Sequence, residues 1–456
     1  MTERMFFVKL NGEFVRPPQP KSEEFVFKTL SPFFKELNSR SRGYTKLSAE
    51  KFVQHYVGPK REVYDKARKV LLLRPLNRRD AHKKAFGKYE KANWTKKSDP
   101  VLRFISPPGA EYALEYGRYV KPIEKNFYAM IDDIFNFGSP VVMKGKNQSE
   151  RGRILKFKYD RFNDPVAIPI DQKRFDQHVS VPILKWVHRV IELMYKADSY
   201  LKMLHRWQLV SIGKGRCADG FFSFTVQGGL MSGEMNTSLV AVLTVCAMIY
   251  CLMEFLGIKK YDLVDDGDDS IIIVERSNLK KFQNGIKSYF LDLGFEVDVE
   301  EPVYIFEQIS FCQSQPVFDG EDWIMCRNIS SISKDSVSLV HWNNSGDARR
   351  WMAAVGQCGL SISSKLPIFQ SYYNAYVRCS LGAKPFHHYL DYGMEQKSRG
   401  MKRISGLIAD AARVSFWRAF GICPDHQITI EDYFDKHSLN VETINDDVEL
   451  PVPLPW

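Results

Sequence analysis

A chain of 456 residues that is 44% hydrophobic and 13% aromatic has room for roughly three domain-sized units with a large core, which excludes a disordered or fibrous polypeptide. Its formal charge of +10 is concentrated in one segment: Pro59 to Lys97 holds 14 Lys and Arg against 4 Asp and Glu, and the rest is near neutral. A single basic block on a neutral body is either a track for a polyanion, nucleic acid or nucleotide phosphates, or a solvated helix face. The eight cysteines include no C-x-x-C pair and lie mostly in apolar surroundings. They read as reduced core residues of a cytosolic protein, not as a disulfide or zinc framework.

The N-terminus is too charged for a signal peptide. The first 58 residues mix short apolar runs with a Pro-rich break from Arg16 to Ser22, which predicts an extended arm before helices. Apolar spacing predicts helix from Ser48 to Leu73, with Gly58 and Pro59 inside the stretch and Pro75 ending it. Lys88 to Pro108 alternates too irregularly for a helix and reads as a basic strand and loop; Gly109 to Tyr128 reads as helix. Val166 to Ser180 begins as an apolar strand ending in Asp171, with Asp176 five residues on. Pro169 argues against a central ladder position unless its missing donor falls at a ladder edge. Leu184 to Leu204 has helical spacing, and Phe221 to Val226 reads as a strand.

The loop from Gly228 to Ser238 carries three glycines and the hydroxyls of Ser232 and Thr237, a composition that lets backbone approach a sugar-phosphate chain closely. It leads into the longest apolar run, Leu239 to Met253, which is short for a membrane span and predicts a buried helix. Tyr261 to Glu275 reads as a β-hairpin whose tip holds Asp265, Asp266, Asp268 and Asp269 around Gly267. Four carboxylates at one tip repel one another, so the tip is either a solvated acidic loop or the seat of a hard divalent cation. An acid at the end of one strand and an acidic hairpin tip can share two metals about 3.5–4 Å apart. Asp171 and Asp268 are that pair. Beyond the hairpin, Leu279 to Leu293 reads as an amphipathic helix, Phe295 to Val303 as a strand, Glu307 to Phe318 as a hairpin and Trp323 to Ile329 as a further strand. The chain after Ser330 reads as mostly helical, with an acidic tail from Asn445 that is expected to be poorly ordered.

D-x-x-x-x-D at Asp171 and Asp176, SGEMNT at Ser232 to Thr237 and GDD at Gly267 to Asp269 stand in the order of the palm motifs of viral RNA-dependent RNA polymerases, and the sequence resembles that family. The words DQKRFDQHVS, MSGEMNTSL, LGFEVDVEEPVY and ISFCQSQPV are similar to the tombusvirus-like group of positive-strand RNA viruses. KYEKANWTKKSDPVLRFISPP with YVKPIE resembles its basic fingers element, and the likeness runs from about Thr45 to Arg327. The resemblance implies an α+β right-hand polymerase with fingers, a palm whose antiparallel sheet carries the GDD hairpin, and a helical thumb. The implied domains are an N-terminal arm and fingers over 1–164, palm over 165–182, a fingers insertion over 183–220, palm over 221–317 and thumb with tail over 318–456.

The implied reaction is two-metal nucleotidyl transfer with Mg²⁺, or Mn²⁺, that replicates a viral positive-strand RNA genome. Asp171, Asp268 and Asp269 are the implied catalytic metal ligands. Asp176, Ser232, Gly233, Asn236, Thr237, Lys96, Lys97 and Arg103 are implied nucleotide contacts. Lys60, Arg61, Lys88 and Lys91 would contact RNA, with Phe311, Cys312 and Gln313 as the primer grip; His178 reads as a packed core histidine. Implied partners are template and nascent RNA, nucleoside triphosphates and a viral membrane-targeting replication protein, which would hold the chain in a membrane-associated complex in the host cytoplasm. The membrane-targeting part is expected to lie outside this chain.

Two departures from the family stand out. Ala241 occupies the place of an Asn that pairs with the second acid of the first motif to sense the 2′-hydroxyl, leaving Asn236 and Ser238 as substitutes. The family's proton-donating lysine near LGF is replaced by Asp298, with Lys280, Lys281 and Lys287 only earlier. A reverse transcriptase shares the palm chemistry, but its Y-x-D-D word and a nuclease module are absent. A catalytically weak polymerase-like RNA-binding protein is the other rival, against which intact Asp171, Asp268 and Asp269 argue.

Overall fold

The computed structural model describes residues 2–10, 12–88, 90–91, 103–217, 220–340, 342, 344–388, 391 and 393–439. They form two compact units that interleave along the chain, the first drawn from 1–88, 99–142 and 170–301 and the second from 89–98, 143–169 and 302–456. The mixture of helices and antiparallel-rich sheets makes the fold α+β, as expected.

The first unit contains β1 (Val8–Leu10), β2 (Glu13–Val15), β3 (Lys83–Gly87), β4 (Phe104–Ile105), the end of β5 (Pro165–Gln172), β6 (Val210–Cys217), β7 (Gly220–Gln227), β8 (Tyr261–Asp265), β9 (Asp269–Glu275) and β10 (Val297–Val299). Three sheets result: β1-β2, β4-β3-β6-β7 and β10-β5-β9-β8. The stretch read as an extended arm is thus the hairpin β1-β2, followed by helices at Glu23–Thr29 and Ser31–Arg40. The helix predicted over 48–73 is two, Ala49–Gln54 and Gly58–Leu73, because Pro59 lacks the N–H that a continuous ladder requires. The one over 184–204 is also two, Val181–Leu193 and Ser199–Gln208, broken where Lys196 and Ala197 turn the chain at φ 50 and 58. The helix predicted from Gly109 runs on to Phe135 as Ala110–Phe135.

At the centre of the first unit is the apolar helix Thr237–Leu256, with every residue from Leu239 to Ile249 buried. It packs against Ser31–Arg40, Ala110–Phe135, Val181–Leu193, Leu279–Asp292 and β8. Each fully buried Leu, Val or Ile on it contributes about 1.5–3 kcal/mol relative to exposure. Its length and composition would suffice to cross a membrane, but most of it is enclosed by protein. The sheet β10-β5-β9-β8 shows why a proline is tolerated in an inner strand. The β10 ladder covers Ile170 to Gln172, so Pro169 stands where that ladder has just ended.

In the second unit β11 (Ser314–Phe318) and β12 (Trp323–Arg327) form an antiparallel pair, against which the helix Gln148–Tyr159 packs. The hairpin read over Glu307 to Phe318 is there only as a single bridge, Phe311 to Ser314, after one helical turn at Phe306–Gln308, and β11 pairs with the following strand. Helices Ser345–Ser363, Phe369–Cys379, Asp410–Phe420 and Pro424–Lys436 enclose a core rich in aromatics, among them Trp351, Phe369, Tyr372, Tyr373, Phe416 and Phe434. Arg327 and Asp335 form a buried ion pair at 2.6 Å, completed by the Tyr373 hydroxyl donating to Asp335 at 2.7 Å. The seven cysteines whose side chains are described are free, and Cys246, Cys251, Cys326 and Cys358 are buried. The tail from Asn445 lies outside the described residues.

Candidate active site

Three of the four carboxylates of the acidic hairpin divide between two jobs. Strands β8 and β9 are buried almost throughout, so the turn between them must satisfy its own backbone. Asp265, fully buried, does this: it accepts the Gly267 N–H at 3.2 Å and the Ser270 hydroxyl at 2.8 Å, while Gly267 takes φ 97. Asp268 and Asp269 project into solvent. Sequence alone could not separate these roles, since all four residues are chemically alike.

Asp171 lies near the end of β5, between β10 on one side and β9 on the other. Its register partner on β10 is Asp298, and the V-D-V-E alternation puts Glu300 on the same exposed face. The Asp171 carboxyl still reaches solvent, but surrounding protein displaces enough water to push its pKa above the ordinary carboxylate range. The Asp268 and Asp298 charges push it further, and Lys173 opposes them. Glu300 is raised in the same way, by partial burial and then by Asp171 and Asp298. Asp298 and Lys173 form an ion pair at 2.9 Å. The structure thus sets the two predicted acids on adjoining elements of one sheet and adds Asp298 and Glu300, which the period-2 pattern of β10 signalled.

Among the described residues no three Asp, Glu, His or Cys side chains form a ready-made metal cage. The donor chemistry nonetheless fits a hard divalent cation: carboxylates from neighbouring strands and a turn, whose repulsion Lys173 relieves only in part.

After Asp171 the chain turns through Arg174, which takes φ 48 and is held by the N-terminal segment. Its guanidinium donates to the Glu3 carbonyl at 2.8 Å and pairs with the Glu3 carboxylate. One helical turn, Phe175–His178, then positions Asp176. The glycine-rich loop is fastened against this turn: Leu230 N–H donates to Asp176 O and Gly229 N–H to Val179 O, both at 2.7 Å. A Cβ on Gly228 would stand 3.1 Å from Val179 O and Val181 N, so a larger residue would push the loop away. His178 is buried as read, bridging Arg174 O at 3.2 Å and Glu296 at 3.0 Å.

Within the loop, Gly233 is exposed and Ser232 is partly so, its carbonyl accepting from Ser106 N–H at 2.7 Å. Thr237, the first residue of its helix, turns its hydroxyl back to donate to the Met231 and Glu234 carbonyls at 3.2 and 3.1 Å, which fastens the loop and does not cap the helix. Asn236 is corrected as a substrate contact. It is buried, with its amide donating to Tyr116 Oη at 2.9 Å and Gln208 Oε1 at 3.3 Å, so it has no face toward the loop surface. Ser238, by contrast, is partly exposed and bonded to Tyr128 Oη at 3.1 Å. A buried Lys83–Glu234 ion pair, with Gln208 donating to the same Glu234 at 3.3 Å, fixes the loop from beneath. The sequence offered no signal for it beyond a charged residue in an otherwise small and polar loop.

The basic block is less free than its composition suggests. Arg68 and Lys69 share Asp65, Arg74 pairs with Asp80 at 2.7 Å, and Lys83 is internal. Lys60 and Arg61 remain exposed at the start of Gly58–Leu73, with Lys60 5.1 Å above the Tyr56 ring. Lys88 is exposed and donates its N–H to the carbonyl of exposed Arg103 at 2.7 Å. Lys91, in the second unit, is ion-paired with Asp391 at 3.5 Å. Lys96 and Lys97 lie outside the described residues.

In the second unit Phe311 and Ser314 exchange backbone hydrogen bonds at 2.8 and 3.0 Å around Cys312 and Gln313, whose φ values are 49 and 59. This is a two-residue turn of the type that normally takes Asn-Gly, so its side chains are held at a backbone cost. Phe311 is buried under the Arg151 guanidinium at 5.7 Å, which corrects its reading as a surface contact; Gln313 is exposed.

An α+β unit that sets carboxylates from neighbouring strands beside a glycine-rich loop offers a seat for a hard cation next to backbone that a phosphate chain can approach. The chain belongs to the viral RNA dependent RNA polymerase family, whose model matches residues 1–442. It is 40% identical over 438 residues to the protein named RNA-directed RNA polymerase of Maize chlorotic mottle virus, covering 95% of this chain and 45% of that protein. Proteins of the same name from Melon necrotic spot virus (39% over 444 residues, 96% of this chain and 56% of that one) and Tobacco necrosis virus strain A (37% over 448 residues, 97% and 61%) are similar. The chain spans about half the length of the curated relatives it matches.

Proposed function

We propose that this chain is the catalytic portion of a viral RNA-directed RNA polymerase that copies a positive-strand genome. The reaction is templated attack of an RNA 3′-hydroxyl on the α-phosphate of a nucleoside triphosphate, with release of pyrophosphate. The observation that carries this reading is the placement of Asp171, near the end of β5, and Asp268, in the turn before neighbouring β9, on adjoining elements of one sheet, although they are distant in sequence. Asp171 and Asp268 would hold Mg²⁺ or Mn²⁺, with Asp269 assisting. Bound there, divalent cations supply charge stabilisation to the attacking and leaving oxygens.

The chain's own residues divide the remaining work. Asp176, fastened to the loop, would meet the ribose, while Ser232 and Gly233 offer hydroxyl and backbone to template and nucleotide; Thr237 holds the loop's shape. Arg103, Lys96 and Lys97 would neutralise the triphosphate, and exposed Lys60, Arg61 and Lys88 would follow the RNA backbone. Cys312 and Gln313, on their constrained turn, would bear on the primer strand. The first unit reads as fingers and palm together, and the helices of the second as the thumb. A membrane-targeting viral replication protein would be the partner that places the enzyme in a membrane-associated complex in the host cytoplasm.

The test is incorporation by the purified chain on a short RNA template with Mg²⁺ and labelled ribo- or deoxyribonucleotides. Template-dependent ribonucleotide incorporation is expected. Incorporation of deoxyribonucleotides alone would point to a reverse transcriptase, and RNA binding without incorporation to a non-catalytic relative.

A further inference from the structure

The sheet β4-β3-β6-β7 is two-faced in a way that its sequence alternation enforces. On β6, Gly213 and Gly215 point inward, and a Cβ on either would strike the Phe224 or Phe222 ring, so aromatic packing closes the inner face. Lys214 and Arg216 point outward, as do Phe221, Ser223 and Thr225 on β7 and Lys84 and Phe86 on β3. The register places Lys84 beside Lys214 and Arg216 beside Phe221, with the guanidinium 5.8 Å from the ring.

Among the described residues, this outer face carries three cations and no counter-charge. The four strands contain no Asp or Glu, and among the described residues none of Lys84, Lys214 and Arg216 is ion-paired. Asp219, between β6 and β7 in the sequence, lies outside the described residues. Like charges directly opposite on neighbouring strands destabilise a sheet. Phe221 is 80% exposed and Phe86 50%, although each ring has a large apolar surface to hide. Both costs vanish under one kind of ligand: an anion with flat apolar groups.

We propose that the outer face of β3, β6 and β7 is a binding surface for single-stranded RNA, distinct from the sheet that carries the aspartates. Residues two apart on a strand are about 7 Å apart, and neighbouring strands about 5 Å. Lys84, Lys214 and Arg216 therefore form a short lattice of charges that an extended phosphate backbone can follow. Phe221 and Phe86 supply stacking platforms, which require unpaired bases and accept any of them. The small hydroxyls of Ser223 and Thr225 leave the surface open beside the rings. The proposal goes beyond the reaction centre and does not depend on metal binding there.

The test is fluorescence anisotropy of a short labelled oligouridylate with the full chain in EDTA, without nucleotide. Phe221→Ala is expected to weaken binding at least about fivefold, the lower end for loss of one stacked base, and Phe221→Trp to retain it. Lys214→Ala with Arg216→Ala should reduce the slope of log affinity against log salt by about 0.7 for each phosphate that is no longer neutralised. All these side chains are exposed, so melting temperatures should stay at the wild-type value. Wild-type RNA affinity in both alanine variants would overturn the proposal. So would loss of binding to phosphatidylserine vesicles with RNA affinity intact, which would assign the face to an anionic membrane surface. A chain that incorporates no nucleotide yet shows these weakened affinities would retire the polymerase reading and leave the RNA surface standing.

Discussion

Asp298 stands directly across from Asp171, as its in-register neighbour on β10, and the carboxylate of Asp298 is held by Lys173 Nζ at 2.9 Å. The strand that bears the first acid is thus followed at once by a lysine that reaches the site. That lysine is committed to Asp298, and the neighbouring carboxylates raise its pKa and hold its proton. It balances only part of the acidic cluster, and the consequence is a pH effect.

Asp171 holds its proton more tightly in the folded chain than in the unfolded one, because enclosure and the Asp268 and Asp298 charges raise its pKa. The stability it contributes is fully present below the unfolded value of about 3.8 and is lost as pH rises through the raised folded value. In EDTA, the wild-type melting temperature should therefore fall more than that of Asp171→Asn as pH rises from about 4 to about 6. At neutral pH, Mg²⁺ should stabilise the wild type more than the variant. Parallel pH profiles for the two proteins would remove the repulsion on which the cation reading rests.

Asp265 and Asp268 share one hairpin and should behave oppositely. Asp265→Ala leaves the Gly267 N–H and the Ser270 hydroxyl without their buried acceptor, a loss of about 1–3 kcal/mol in denaturant unfolding. Asp268→Asn removes an exposed charge that faces Asp171, so the apo protein should melt at the wild-type temperature or slightly higher while incorporation is abolished. Substantial extension of RNA by Asp268→Asn would sink its assignment as a metal ligand.

Ala241 lies on the buried helix Thr237–Leu256, at the position where the family resemblance implies an Asn that reads the sugar. With Asn236 occupied by Tyr116 and Gln208, Asp176 has Ser238 as its remaining candidate partner in the loop. Weak selection between ribo- and 2′-deoxyribonucleotides is expected, sharpened in Ala241→Asn, since leaving a buried polar group unpaired costs about 1–3 kcal/mol. The ratio of incorporation efficiencies for matched NTP and dNTP decides this, and an equal ratio in a folded, active Ala241→Asn enzyme would place sugar reading elsewhere. Asn236→Ala should lower thermal stability without moving that ratio.

In the second unit the Arg327–Asp335 pair is buried on both sides and shares the Tyr373 hydroxyl. Asp335→Ala strands a guanidinium in the aromatic core, which should cost about 3–5 kcal/mol in chemical denaturation. Asp335→Asn keeps an acceptor for Arg327 and should cost less. Equal, small losses in both would mean that water reaches Arg327.

Features set by local chemistry were readable from the chain itself. The β-branched runs around the GDD tip, the strand ending in Asp171 and the unbroken apolar run after the glycine loop each demand their own conformation, because burial periodicity and turn residues act over a few positions. The family followed from those words. Long-range pairing was not readable, because it depends on which faces meet. Nothing local to Asp265 distinguishes it from Asp268, yet one is buried in the turn and the other faces solvent. Asn236 has the chemistry of a substrate contact and spends it on Tyr116; Lys83 belongs to a basic block and is buried against Glu234. Strand β6 escaped notice because its Gly-Lys-Gly-Arg alternation carries no apolar signal: the apolar side chains that fill its inner face belong to β7. Such assignments arise when a polar group, excluded from water by packing, must find its partner across the fold.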